Sequence, residues 1–126
     1  MRNYEDLQVW RKAHGLTLAI YKITQGFPNE EKFGLTSQIR RSCASIGANL
    51  AEGRGRRGDG EMARFVTIVM GCASELEYHL LLARDLKLLS TARHSVLEKE
   101  LTEIRMMLSS FFAVVSKAAR TKSASI

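Results

Sequence analysis

Residues 34–60, GLTSQIRRSCASIGANLAEGRGRRGDG, decide the architecture. Ile39, Cys43, Ile46, Leu50 and Gly53 recur every three or four positions, the spacing that lines one face of an α-helix. The stretch then dissolves into Gly53-Arg54-Gly55-Arg56-Arg57-Gly58-Asp59-Gly60, the strongest breaker in the chain. A helix is therefore predicted over 34–57, followed by a sharp turn, with Asp59 as N-cap of the next helix. Small residues crowd the helix, from Ser42 through Gly47 to Ala51. A glycine inside a helix costs about 1 kcal/mol relative to alanine, so Gly47 implies the close approach of a neighbour. If the chain folds back around Gly58, residues whose numbers sum to about 115 face each other. Cys43 then meets Cys72, and the small cluster 42–48 meets Gly71, Cys72, Ala73 and Ser74. The expectation is a close helix crossing at that level, with two neighbouring reduced thiols.

The same periodicity runs outward in both directions. Upstream, Leu7, Trp10, Ala13, Leu16, Ile20 and Ile23 predict a helix over 6–26, broken by Phe27-Pro28-Asn29. Downstream, Met62, Phe65, Val69, Cys72, Leu76, His79, Ala83 and Leu86 predict one over 60–89. After a break at Ser90-Thr91, Leu97, Leu101, Ile104, Leu108, Phe111, Val115 and Ala118 predict a fourth over 92–120, with 121–126 as a frayed tail. No segment alternates like a strand. Four amphipathic helices with short links imply an all-α, antiparallel up-down-up-down four-helix bundle forming one domain over 1–126. The flank Ser37, Arg40, Ala44, Gly47, Ala51 is nearly smooth. Ile68, Leu82, Leu89, Val96, Phe112 and Val114 broaden the apolar stripes beyond what one core needs, which suggests subunit contacts.

Composition agrees. The chain has 126 residues, 45% apolar and 25% charged, one proline and 7% aromatics. That excludes a disordered chain and a disulfide scaffold, and it disfavours a β-sandwich. Arg2, Glu5 and Asp6 follow Met1 at once, and no unbroken run approaches the ~20 apolar residues of a membrane span. The chain reads as cytoplasmic and reduced, with no membrane partner.

Chemistry-bearing constellations are few. Cys43 and Cys72 stand far apart in sequence with no CxxC, so no zinc site is expected. A di-iron bundle site needs Glu-x-x-His on two helices, but Arg11, Leu76 and Thr91 precede His14, His79 and His94 by three. Glu75 and His79 are i,i+4 neighbours, which suggests a hydrogen-bonded pair. Asn49 and Glu52 suggest polar contacts across helices or subunits that fix register. No metal, no cofactor and no catalytic set is predicted, and the chain is expected not to be an enzyme.

The charge is more telling. The net charge is +6; residues 1–58 carry 10 basic and 5 acidic side chains, residues 59–126 carry 9 and 8. Arg40, Arg41, Arg54, Arg56 and Arg57 are opposed locally by Glu52 alone, and they form the candidate nucleic-acid-binding set. The guanidinium fork suits phosphate because it donates two parallel hydrogen bonds. The competing reading is that some of these arginines make structural pairs or bridge subunits. No base-reading motif accompanies them.

The runs DLQVWRKAH (6–14), FPNEEKFGLTSQIRRSCASIGANLAEGRGR (27–56) and ARFVTIVMGCASELEYHLLLARDL (63–86) resemble the bacterial four-helix bundle family of 23S rRNA intervening-sequence proteins. The resemblance covers about residues 4 to 90, while the fourth helix matches only in periodicity. Phe33, Ser42 and Leu50 depart mildly from the family pattern. The resemblance implies a homopentamer. Related accessory proteins of diversity-generating retroelements imply a reverse transcriptase partner and a basic surface for nucleic acid. The expected function is a non-enzymatic, homopentameric scaffold binding RNA or DNA through arginine-rich surfaces. The alternative is a protein-interaction scaffold whose basic face meets an acidic protein.

Overall fold

The computed structural model describes residues 3–124. Its four helices are α1 (Gln8–Thr24), α2 (Leu35–Gly55), α3 (Asp59–Asp85) and α4 (Thr91–Ala124), with short 3-10 turns at Asn3–Asp6 and Asn29–Glu31. There is no strand among the described residues. Cross-helix contacts fix the directions. Trp10 lies at Gly47 while Arg40 reaches back to Tyr21 and Thr24, so α1 and α2 run antiparallel. Arg41 pairs with Glu75 and Gly53 abuts Met62, so α2 and α3 do as well. Glu77 with Arg105 and Asp59 with Lys122 give the same result for α3 and α4. Lys12 closes the bundle by reaching Glu100 and Glu103 at 2.9 and 2.6 Å.

The face predicted for α2 is the one buried: Ile39, Cys43, Ile46 and Leu50 are fully enclosed, and Gly53 is buried with them. Leu97, Leu101, Ile104, Leu108 and Val115 form the inner stripe of α4. On α3 the stripe differs from expectation. Val66, Ala73 and Leu80 are core, whereas Cys72 and His79 are half-buried and Leu86 is exposed. The cause is that α3 is apolar on more than one side. Its most apolar 18-residue window has mean hydropathy 1.3, enough by length and composition for a membrane span, yet only 33% of it is buried. Leu89, expected on the spare surface, belongs to the core, while Ile68, Val96 and Val114 are exposed as expected.

Several boundaries move for local reasons. The third helix stops at Asp85, short of the expected Leu89. Lys87 takes a left-handed conformation (φ 63°), and the amides of Lys87 and Leu88 bond back to Arg84 and Ala83. That is a Schellman stop; Leu88 and Leu89 continue an apolar pattern but not a helix. Ser90 then caps α4, its hydroxyl accepting from the Arg93 amide at 3.1 Å. The fourth helix does not fray at 121: it runs to Ala124, while residues 125 and 126 lie outside the described residues.

The turn between α2 and α3 spans only residues 56–58, so the predicted facing register holds: Gly53 meets Met62 and Arg41 meets Glu75. The tightest glycine, however, is not in the 42–48 cluster. Gly47 faces Trp10 of α1, and Gly71 has open space around it. A Cβ on Gly53 would sit 2.6 Å from Phe65 Cβ and 2.9 Å from Met62 Cε. At Gly53, nearer the connection, the α2 backbone thus lies tight against the Phe65 and Met62 side chains of α3. The thiol of Cys43 has its polar neighbour on α1, with Thr17 Oγ1 at 3.2 Å.

Candidate nucleic-acid interface

The basic end of the bundle is assembled by three helix termini. The second helix closes at Gly55, and Gly58 turns the chain at φ 85°, a left-handed conformation that glycine adopts without strain. Asp59 is not the cap expected of it: Gly58 holds that position, and the Asp59 carboxylate instead receives Lys122 at 2.7 Å. This ion pair pins the last turn of α4 beside the α2–α3 connection.

The five predicted arginines do not form one patch. Arg40 lies on the α1–α2 seam, donating to Thr24 Oγ1 at 2.8 Å and to the Tyr21 carbonyl at 3.2 Å, with its guanidinium 4.7 Å from the Tyr21 ring centre. Arg41 bridges α2 to α3, donating to Gln38 Oε1 and Glu75 Oε1, both at 2.8 Å. Both sit more than three helical turns from Arg54 along α2. Arg54, Arg56 and Arg57 do come together at the turn. Arg54 and Arg57 are exposed and make no side-chain hydrogen bond, ion pair or ring contact among the described residues. Arg56 pairs with Glu52 at 2.8 Å and lies over the buried Phe65 ring, 5.4 Å from its centre.

The sequence reading missed four further cations at this end. Arg64 on α3 donates to both oxygens of Glu61, at 2.9 and 3.3 Å, and lies 4.6 Å from the centre of the same Phe65 ring. The hydrogen bond from Arg64 holds the Glu61 carboxyl below its usual range, and Glu61 in turn raises Arg64. Lys117, Arg120 and Lys122 arrive on the final turns of α4, where Lys117 and Arg120 are exposed. Their signal was the run of α4 with no acidic residue after Glu103. Gly53, Arg54, Arg56, Gly58, Asp59, Met62 and Lys122 line a cleft of ≈ 270 Å³ there.

Other expected polar contacts resolve differently. Glu75 turns to Arg41 instead of His79, whose Nδ1 is buried without a hydrogen-bond partner. Asn49 and Glu52 bond within α2, to the Ser45 carbonyl and to Arg56, so neither reaches across helices. No group of three or more His, Cys, Asp or Glu side chains that could hold a metal occurs among the described residues. The basic end offers charge and flat guanidinium planes, and neither histidine nor cysteine lies within it.

Comparison with known proteins follows this geometry. A family model described as 23S rRNA-intervening sequence protein matches residues 5–110, which takes in α4 as far as Ser110. A crystal structure from Bacteroides thetaiotaomicron, of a protein with unknown function from the S23 ribosomal protein family, superposes with a TM-score of 0.77 at 28% identity. The match covers 82% of this chain and 97% of that one. Comparison with curated proteins gives no match.

Proposed function

The chain belongs to the 23S rRNA-intervening sequence protein family, and from that membership and the charge at one end of its bundle we propose a non-enzymatic homopentameric scaffold that binds RNA or other nucleic acid. The carrying observation is the pair Arg54 and Arg57: exposed guanidinium forks with no protein partner, flanked by Arg56, Arg64 and the basic end of α4. An unengaged fork can take a phosphate without first breaking an internal contact. Arg40 and Arg41 are given a structural part, because each guanidinium already ties α2 to a neighbouring helix.

Assembly into a homo-oligomer is supported by apolar surface that the single bundle leaves uncovered. Ile68, Leu86, Val96, Met106 and Val114 are 40–66% exposed. The number five comes from the family resemblance. Repetition of the basic end in each subunit would multiply phosphate contacts, and each one neutralised releases counterions.

Light scattering on purified protein, with the 260/280 nm absorbance ratio taken before nuclease treatment, tests both parts. A pentamer carrying nucleic acid is the expected result. Arg54→Glu with Arg57→Glu should release the nucleic acid and leave the pentamer mass unchanged. Retention by that variant would overturn the arginine assignment. A clean pentamer would shift the reading to an acidic protein partner, and a monomer would overturn the assembly.

A further inference from the structure

The cluster around Phe65 narrows the kind of nucleic acid that the basic end can take. Glu52 holds Arg56, and Glu61 holds Arg64 through both of its oxygens. Glu52 thus takes one N–H of Arg56 and Glu61 takes one edge of Arg64, which holds both planes in place and leaves fewer donors for a phosphate. Both guanidiniums also lie over the Phe65 ring, at 5.4 and 4.6 Å. The two side chains are nevertheless 49% and 55% exposed, as a plane covered on one side and open on the other should be. They present to solvent a flat cationic face with part of its donor edge engaged. That is a stacking surface for a nucleobase more than a ligand for phosphate. Arg54 and Arg57 have the complementary character, with no protein contact at their donor edges. A base can reach an arginine plane only when unpaired, because in a duplex its faces are already covered by neighbouring bases.

We propose that the basic end selects unpaired nucleic acid, taking phosphates on Arg54 and Arg57 and stacking bases on the outer faces of Arg56 and Arg64. This rests on the nucleic-acid reading above and narrows its ligand to single strands or single-stranded loops. Carboxylates that hold the planes in place reduce the side-chain freedom lost when a base lands. Recognition is tolerant of sequence, since every base has a π-face.

The test compares a mixed-sequence single strand of about 20 nucleotides with its blunt duplex, by fluorescence anisotropy on the intact protein. Because bases stack on side chains only when unpaired, the single strand should bind about tenfold more tightly or better. Arg56→Lys with Arg64→Lys keeps the charge and the pairing to Glu52 and Glu61 but removes the planes. It should lower single-strand affinity about tenfold, leaving duplex affinity and the salt dependence unchanged. Wild-type protein that prefers the duplex, or binds both alike, overturns the proposal; so does undiminished single-strand binding by the folded lysine variant. If that variant melts early, the wild-type comparison decides alone. Failure of wild type to bind either form would overturn the nucleic-acid reading itself, which separates the two failures.

Discussion

Arg40 and Arg54 lie four helical turns apart on α2 and serve different ends. The Arg40 guanidinium bonds a buried hydroxyl and a carbonyl of α1 and lies over a tyrosine ring. Hydrogen bonds from a charged donor contribute about 1.5–3 kcal/mol, so Arg40→Ala should cost about 2 kcal/mol in denaturant unfolding while leaving nucleic-acid affinity nearly unchanged. Arg54→Ala should do the reverse. Cys43 supplies a second residue-scale test. Burial pushes its thiol up to about 11, partly offset by the hydrogen bond with Thr17. A thiol whose folded pKa lies above its unfolded one contributes stability that is intact below the unfolded value, 9.0, and fades as pH rises towards 11. Within that window the unfolded chain loses the proton first. Wild type should therefore lose stability relative to Cys43→Ala at up to about 1.4 kcal/mol per pH unit. Parallel urea unfolding curves across the window would contradict the buried-thiol assignment.

Helices end and meet where backbone geometry allows. Alanine at Gly53 would gain about 1 kcal/mol of helix propensity, but its methyl group would sit 2.6 Å from Phe65 Cβ. Only separation of α2 from α3 makes room, and overpacking costs about 1–3 kcal/mol. Gly53→Ala should lower the Tm, whereas Gly55→Ala, with nothing within 4 Å, should hold or raise it. At the Schellman stop of α3, Lys87→Gly should add about 1 kcal/mol by removing the left-handed penalty of an L side chain. Thermal melts of the three variants check both statements. These positions also mark how much was legible beforehand. The inner faces of α2 and α4 could be read because each carries one apolar stripe. On α3, apolar residues on several sides left the stripe ambiguous, so Cys72 and Leu86 read as core in place of Ala73 and Leu80. The end of α3 was hidden because lysine, not glycine, occupies the left-handed position. The basic end was half legible: Arg54, Arg56 and Arg57 are contiguous, but Arg64 and the last turns of α4 join them only through folding. Spacing alone could not show that Arg40 serves Thr24 or that Arg56 lies on Phe65.

At the scale of the whole molecule, charge and apolar surface divide along the bundle. Cations gather where the α2–α3 turn meets the end of α4, while uncovered apolar side chains lie mostly along α3 and α4, with Leu18 of α1 and Phe33 also exposed. Ile68 on α3 and Leu86, its C-cap, stand five turns apart on one azimuth, both exposed, and subunit contact there would bury them together. Burying such a side chain contributes about 1.5–3 kcal/mol, so Ile68→Gln with Leu86→Gln should dissociate the assembly without changing net charge or the monomer core. The consequence for binding is a matter of valency. In the proposed assembly, a single-stranded RNA long enough to touch several subunits would engage them as linked sites, whose avidity exceeds one site's affinity by about 10²–10⁴. An oligonucleotide that fits one basic end has no such gain. Dissociated double variant should therefore lose most of its affinity for long RNA and little for the short strand, and its salt slope on long RNA should fall towards that of a single site. Equal losses on both lengths would mean that Ile68 and Leu86 contribute to the binding site itself. Unchanged binding and mass would place the subunit contact on another face, with the exposed Val96 and Val114 of α4 the next to substitute.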